Sequence, residues 1–362
     1  MKIIFSGGGT GGHIYPAIAL IKALKKKEPT TEILYIGKKL AQEEKICKNE
    51  SISFIGIKVR YFYRKLTFKN ILTIIEFIKS YCEVKKIIKQ FKPDIIIGTG
   101  GYVCAPVVYA GARKKIKTII HEQNSIPGLT NKFLSHYADK IAISFSSSEQ
   151  YFNHQKTVLT GNPRAQEVVM SKKIPKNQLK LQENKKLILI FMGSLGAKYV
   201  NQSIVKSLPI LSKREDIEVI FVTGKSHYDT IISEVKDFKL KQNVFIKDYV
   251  ENMPQLYQHA DLVICRAGAT TLAEISAIGI PSILIPSPYV TNNHQEKNAL
   301  DLVQIGGAVM IKEKDLSEEI LTNQILKIID DPYQLQVLRI NNKKLGIPNA
   351  CDKFIELIEH LT

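Results

Sequence analysis

The chain lacks any paired-cysteine framework. Its five cysteines, Cys47, Cys82, Cys104, Cys265 and Cys351, are odd in number, widely spaced and never arranged as CxxC. That excludes a disulfide scaffold or zinc ribbon and reads as free thiols in a reducing compartment. No basic run leads into an apolar one in the manner of a secretory leader. Residues 95–112 are uncharged over the length of a membrane span. Gly98, Gly100, Gly101 and Pro106 interrupt them, however, and the stretch reads as strand, glycine turn and buried helix. Asp-x-Asp is missing throughout, and with it the usual carboxylate site for a diphosphate-bridging metal. Low-complexity tracts and short-period repeats are absent too.

What is present in excess is positive charge, unevenly spread. Residues 1–160 carry 26 Lys and Arg against 11 Asp and Glu, whereas residues 161–362 carry 25 against 23. A basic half beside a nearly neutral one implies an anionic partner for the first: nucleic acid, lipid head groups or a phosphorylated substrate. At 362 residues the chain is long enough for two cores.

Short β-branched runs, among them KIIFS, EILYIG, PDIIIGTGG, KTIIHEQ, LILIFMG, IEVIFVTG and ADLVICRAG, alternate with helical patterns. Runs apolar on both faces are strands of a covered parallel sheet, and βαβ alternation predicts an α/β fold of doubly wound units. The pattern starts twice, at KIIFSGGGTGGH and again at LILIFMGSLGAK. We therefore expect two Rossmann-like domains facing a central cleft, residues 1–160 and 161–334. A last helix, about 335–362, is placed to pack back on the first, and the polar stretch 171–186 reads as a linker.

The first glycine loop has the Gly7-x-Gly9-x-x-Gly12 spacing of a dinucleotide site. Such a site also needs an acid at the end of the second strand, for the ribose hydroxyls. Here that strand ends Gly37-Lys38-Lys39. No Gly-Lys-Ser/Thr follows the loop either, which excludes a Walker A motif. His13 stands where the helix begins and has two readings. One is a turn residue held by local hydrogen bonds; the other is a neutral imidazole, kept so by the helix N-terminus and able to accept a proton. Polar clusters recur at later strand exits: HEQNSIPGLTNK, FMGSLGAK, CRAGATTLAE and TNNHQEKNA.

GGTGGH, GGYV, HEQN with GLTNK, TGNPR, GSLGA, CRAGATTLAE and NHQEKNA stand in one order from the first strand to about residue 300. In this the chain resembles the family 28 glycosyltransferases of peptidoglycan synthesis. The resemblance implies a GT-B fold. It also implies inverting transfer of GlcNAc from UDP-GlcNAc to the C4 hydroxyl of MurNAc-pentapeptide on undecaprenyl diphosphate, lipid I to lipid II, with no metal cofactor. By matching motif positions, Thr10, Gly11 and Gly12 lie against a diphosphate and Asn124 against the sugar. Arg164 and Ser194 face the UDP phosphates, and Val250 belongs to the uracil-recognition loop. Ala269, Thr270, Thr271, Leu272, Ala273 and Glu274 form the phosphate–ribose turn, with Glu274 on the ribose, and Gln295 contacts the GlcNAc hydroxyls. His13 is the candidate general base and Glu122 its competitor. Two positions depart from the family pattern. Leu195, which has no donor, replaces a common Gln, and Arg164 directly follows Pro163 where some relatives carry the arginine one residue later.

Residues 58–92 hold ten Lys and Arg with Tyr61, Phe62, Tyr63, Phe68 and Phe77 interleaved. The segment reads either as a solvated helix or as a face for an anionic membrane surface. With a lipid acceptor the second reading gains, placing the chain peripherally at the cytoplasmic face of the cell membrane. Proteins of cell-wall synthesis and division are the implied protein partners. Nothing resembles a nucleic-acid-binding module. The rival functions are a UDP-GlcNAc 2-epimerase-like enzyme of the same architecture and a non-catalytic nucleotide-sugar-binding membrane protein.

Overall fold

Runs of Ile, Val, Leu and Phe form the strands, and both faces of every central strand are covered. The computed structural model describes residues 1–61, 69–193 and 196–362; Phe62, Tyr63, Phe68, Ser194 and Leu195 lie outside them. Two units are present, Met1–Gln166 with Asn349–Thr362, and Glu167–Pro348.

The first unit opens with β1 (Lys2–Ser6), α1 (Gly11–Lys27), β2 (Glu32–Lys38), α2 (Gln42–Asn49) and β3 (Ser53–Ile57). It continues through α3 (Lys69–Phe91), β4 (Ile95–Gly98), α4 (Cys104–Arg113), β5 (Lys117–Glu122) and α5 (Leu129–Ser135). Then come β6 (Lys140–Ile143), β7 (Thr157–Leu159) and α6 (Pro163–Val169), which carries the chain across the division at Gln166. Its seven strands are all parallel, in the order β3-β2-β1-β4-β5-β6-β7.

The second unit holds β8 (Lys186–Phe191), α7 (Lys198–Ser212), β9 (Ile217–Val222), α8 (Tyr228–Val235) and β10 (Val244–Lys247). After these come α9 (Met253–Tyr257), β11 (Ala260–Cys265), α10 (Ala269–Ile278), β12 (Ser282–Leu284) and α11 (His294–Gln304). It ends with β13 (Val309–Met310), α12 (Glu318–Ile329) and α13 (Pro332–Lys343), and α14 (Ala350–Glu359) belongs to the first unit. Its six parallel strands run β10-β9-β8-β11-β12-β13. This pair of Rossmann-like units is the GT-B class of fold.

Strand alternation sorts the cores. Along β1, Ile3 and Phe5 join a cluster containing Ile14, Leu20, Phe354 and Ile358. Ile4 faces the other way, among Val84, Ile88 and Val107. The polar stretch 171–186 is fastened to the second unit. His259 Nε2 donates to the Ile174 carbonyl at 2.6 Å, and the Gln182 amide donates to Glu218 at 2.9 Å.

The first half of α3 carries its polarity inside out. Asn70, Thr73 and Ser80 are buried, while Ile71, Leu72, Ile74, Ile75 and Ile78 are exposed. Ser80 donates to the Lys58 carbonyl at 2.9 Å and Thr73 to that of Tyr61 at 3.3 Å, which makes the inner polar groups tolerable. Among the described residues no helix is long and apolar enough to cross a membrane.

Candidate functional site

Because every strand is parallel, the loops after the strands of a sheet emerge along one edge. In doubly wound sheets ligands bind there, where the strand order reverses. The reversals fall between β1 and β4, and between β8 and β11.

At the first reversal two glycine loops interlock. The Gly8 amide donates to the Gly100 carbonyl at 3.2 Å, and the buried Tyr35 hydroxyl donates to the Gly7 carbonyl at 2.9 Å. Burial holds Tyr35 well above its usual pKa, so it stays a donor. Gly101 has φ +81 and lies against the Gly8 carbonyl, where any Cβ would collide. Gly100, with φ +102, lies against the His13 ring, again too close for a Cβ. Thr10 is the N-cap of α1, and Gly11, Gly12 and His13 form its first turn, which contains no acid. Thr10 and Gly12 are exposed, so the positive end of this helix opens to solvent. At the end of β2, buried Glu43 reaches back from α2 to accept the Lys38 amide at 3.0 Å. An acid therefore stands at that strand end, contributed from five residues further on and turned inward.

His13 Nδ1 lies 3.0 Å from Gln123 Oε1. Gln123 Nε2 donates to the Thr99 carbonyl at 2.6 Å and lies 3.1 Å from His121 Nδ1. His121 Nε2 is 3.1 Å from both the Gly161 carbonyl and the Ser144 hydroxyl. Burial pulls the His121 imidazole down to about 4 despite its bond to Gly161, so the ring is neutral. Phe354 of α14 closes over it edge to face, ring centroids 5.7 Å apart.

Glu122 lies between His121 and Gln123 in sequence and turns the other way. Its Oε1 accepts from the amide of Asn124 at 3.0 Å and from its side chain at 3.2 Å. Its Oε2 accepts from the Gly128 amide at 3.2 Å and from Asn131 at 2.9 Å. The carboxylate is buried and organises the 124–131 loop, on which Asn124 is half-buried. Arg164, on α6 in the first unit, stacks over Tyr15 of α1 at 5.7 Å.

At the second reversal a cavity of about 730 Å³ is lined by Gly193, Lys198, Gln202, Arg266, Ser287 and Gln295, among others. Ser194 lies outside the described residues; its neighbour Gly193 borders the cavity. Gln295 Oε1 accepts the Ser287 amide at 2.9 Å, which holds the side chain at the rim. Arg266 pairs with Glu313 and donates to the Ile285 carbonyl at 3.0 Å. On α10, Ala269 and Leu272 are buried, and the Leu272 amide already donates to Gly268. Thr270, Thr271 and Ala273 are half-exposed, and Glu274 is buried, accepting from the Tyr257 hydroxyl at 3.3 Å. Val250 follows β10 at the same sheet edge, half-buried.

The structure thus brings His13 together with the HEQN segment, and Gln295 with the Gly193 turn. Sequence reasoning passed over Gln123, Arg266 and Glu43. The available signal for Gln123 was the two-residue alternation His121-x-Gln123, which puts both on one side of a strand exit.

Two switch-point sites on a pair of Rossmann-like units, one around a glycine loop and one around an open cavity, fit the GT-B class of nucleotide-sugar enzymes. Residues 3–143 match the glycosyltransferase family 28 N-terminal domain, and residues 187–354 match the family's C-terminal domain. The chain belongs to this family. It is 48% identical over 362 residues to the UDP-N-acetylglucosamine--N-acetylmuramyl-(pentapeptide) pyrophosphoryl-undecaprenol N-acetylglucosamine transferase of Bacillus cytotoxicus, covering 100% of this chain and 99% of the relative. The crystal structure of Acinetobacter baumannii MurG superposes with TM-score 0.78 at 26% identity, covering 99% of both chains. A UDP-GlcNAc 2-epimerase from Neisseria meningitidis, bound to UDP-GlcNAc, shares the fold with TM-score 0.68 at 14% identity, over 99% of this chain and 100% of that one.

Proposed function

We propose that this chain transfers GlcNAc from UDP-GlcNAc to the MurNAc-pentapeptide carried on undecaprenyl diphosphate, the step from lipid I to lipid II. The observation that carries this reading is the full-length match, across both family domains, to a transferase of that name. In this reading the second unit takes UDP-GlcNAc, with Gln295 at the sugar and Arg266 and Lys198 beside the diphosphate. The open helix start at Thr10–Gly12 takes the acceptor diphosphate.

His13 serves as general base. It removes the proton from the acceptor C4 hydroxyl while that oxygen bonds to the anomeric carbon. The bond from that carbon to UDP breaks in the same step, and its electron pair leaves on the β-phosphate, inverting α to β. What favours His13 over Glu122 is that both oxygens of the buried Glu122 carboxylate already accept from protein donors. Exposed Ile71, Ile74, Ile75 and Ile78, at helical spacing on one stripe of α3 and followed by Lys79, Lys85, Lys86 and Lys89, form the membrane-facing surface of a peripheral protein.

The test is release of UDP from radiolabelled UDP-GlcNAc, with and without a lipid I analogue, in EDTA. Release that requires the analogue, with label appearing in the lipid, is expected. Conversion of UDP-GlcNAc without acceptor would establish the epimerase reading instead.

A further inference from the structure

We infer that Gln123 is a positioning residue that fixes His13 as the Nδ1–H tautomer, leaving the Nε2 lone pair as the proton-accepting one. This deepens the assignment of His13 as base and rests on it for its catalytic consequence, though not for the tautomer itself.

The inference follows from two backbone carbonyls, which can only accept. The Thr99 carbonyl, 2.6 Å from Gln123, requires that atom to be the amide nitrogen. The amide oxygen is then the atom facing His13 Nδ1 at 3.0 Å, and Nδ1 must carry the hydrogen. At the far end, the Gly161 carbonyl requires His121 Nε2 to be protonated. His121 Nδ1 is then an acceptor, which is what the second hydrogen of the Gln123 amide needs at 3.1 Å. Both ends of the chain His13–Gln123–His121 therefore demand the same polarity. A flipped amide would set oxygen against the Thr99 carbonyl and against the His121 lone pair.

His121 keeps this acceptor because its buried ring stays neutral. Gly100 packs on the His13 ring, where a larger residue would push it off the amide. An unconstrained histidine side chain favours hydrogen on Nε2, so without Gln123 the proton would sit on the nitrogen required as base. Which nitrogen of a histidine is basic is set by the bond that the other makes.

Two-bond ¹H–¹⁵N correlation on full-length protein labelled at histidine, with His13 assigned by loss of its signals in His13→Asn, reads the tautomer directly. Protonated Nδ1 and unprotonated Nε2 are expected at a pH where the ring is neutral. Gln123→Leu is expected to shift His13 toward Nε2–H and to lower kcat on the order of tenfold or more, with KM for UDP-GlcNAc unchanged. Gln123→Glu keeps an acceptor opposite Nδ1 but sets its second oxygen against the Thr99 carbonyl, so it should return the tautomer only as the protonated acid, whose O–H donates to that carbonyl. A wild-type ring protonated on Nε2, or a Gln123→Leu ring still protonated on Nδ1, would overturn the inference. If the leucine variant does not fold, the wild-type spectrum decides alone. A shifted tautomer with unchanged kcat would uphold the role of Gln123 and remove His13 as the base.

Discussion

At the scale of single residues, His13, the proposed base, and Glu122, the buried acceptor of the 124–131 loop, are separable by mutation. Replacing His13 by Ala should lower kcat by roughly 10²- to 10⁴-fold, the usual contribution of a general base. Thermal unfolding and UDP binding should hardly change, since the ring is only half-buried. Glu122→Gln should do the opposite. Its new amide hydrogens would meet the donors of the 124–131 loop, a loss of about 1–3 kcal/mol visible as a lower Tm. Full stability with abolished turnover in Glu122→Gln would reverse the two assignments. His121 adds a pH dependence. Its folded pKa, lowered by burial to about 4, lies below its unfolded value near 6.5. The unfolded chain therefore binds the proton first, and stability contributed by the neutral ring is lost as pH falls from about 6.5 to 4, by roughly 3 kcal/mol. His121→Gln should flatten the Tm profile over that interval. The sequence displayed the HEQN residues, and their alternation sets Glu122 opposite to its two neighbours, yet it could not say which side faces His13. That depends on where β5 ends relative to β4, a tertiary fact.

Among the elements, α3 shows where local patterning stops informing. Its excess of Lys and the strands around it are legible in the chain. Which stripe faces inward is not, because buried Thr73 and Ser80 bond to the Tyr61 and Lys58 carbonyls, which only folding brings near. The long strands could all be read from β-branched runs. β7 and β13, of three and two residues, could not, since each is an edge strand too short to carry a period. Ile74→Glu with Ile78→Glu alters side chains that are 51% and 54% exposed, so Tm should move little. Flotation with anionic vesicles should drop severalfold, and wild-type binding should weaken with salt. Unchanged flotation would remove α3 from the membrane face.

For the whole molecule, the doubled strand–glycine–helix start made the two sheets legible, and the switch-point rule points to the two candidate sites. Arg266 escaped because its importance comes from Glu313, 47 residues later and brought near only by β13. The reach of α14 likewise depends on packing. Phe354→Ala, at a fully buried position, should cost about 3–5 kcal/mol. Hydrogen exchange should show that loss in β1, α1 and β5, with the segments of the second unit unaffected; uniform loss across both units would contradict the division. The same helix has a consequence for the order of events in the cell. Phe354, Ile355 and Ile358 complete the core around β1, yet they are translated only after the entire second unit. On the ribosome the first domain to be made is therefore the last to be finished. Its unfilled hydrophobic groove must wait, exposed to chaperones or aggregation, while the later domain folds ahead of it.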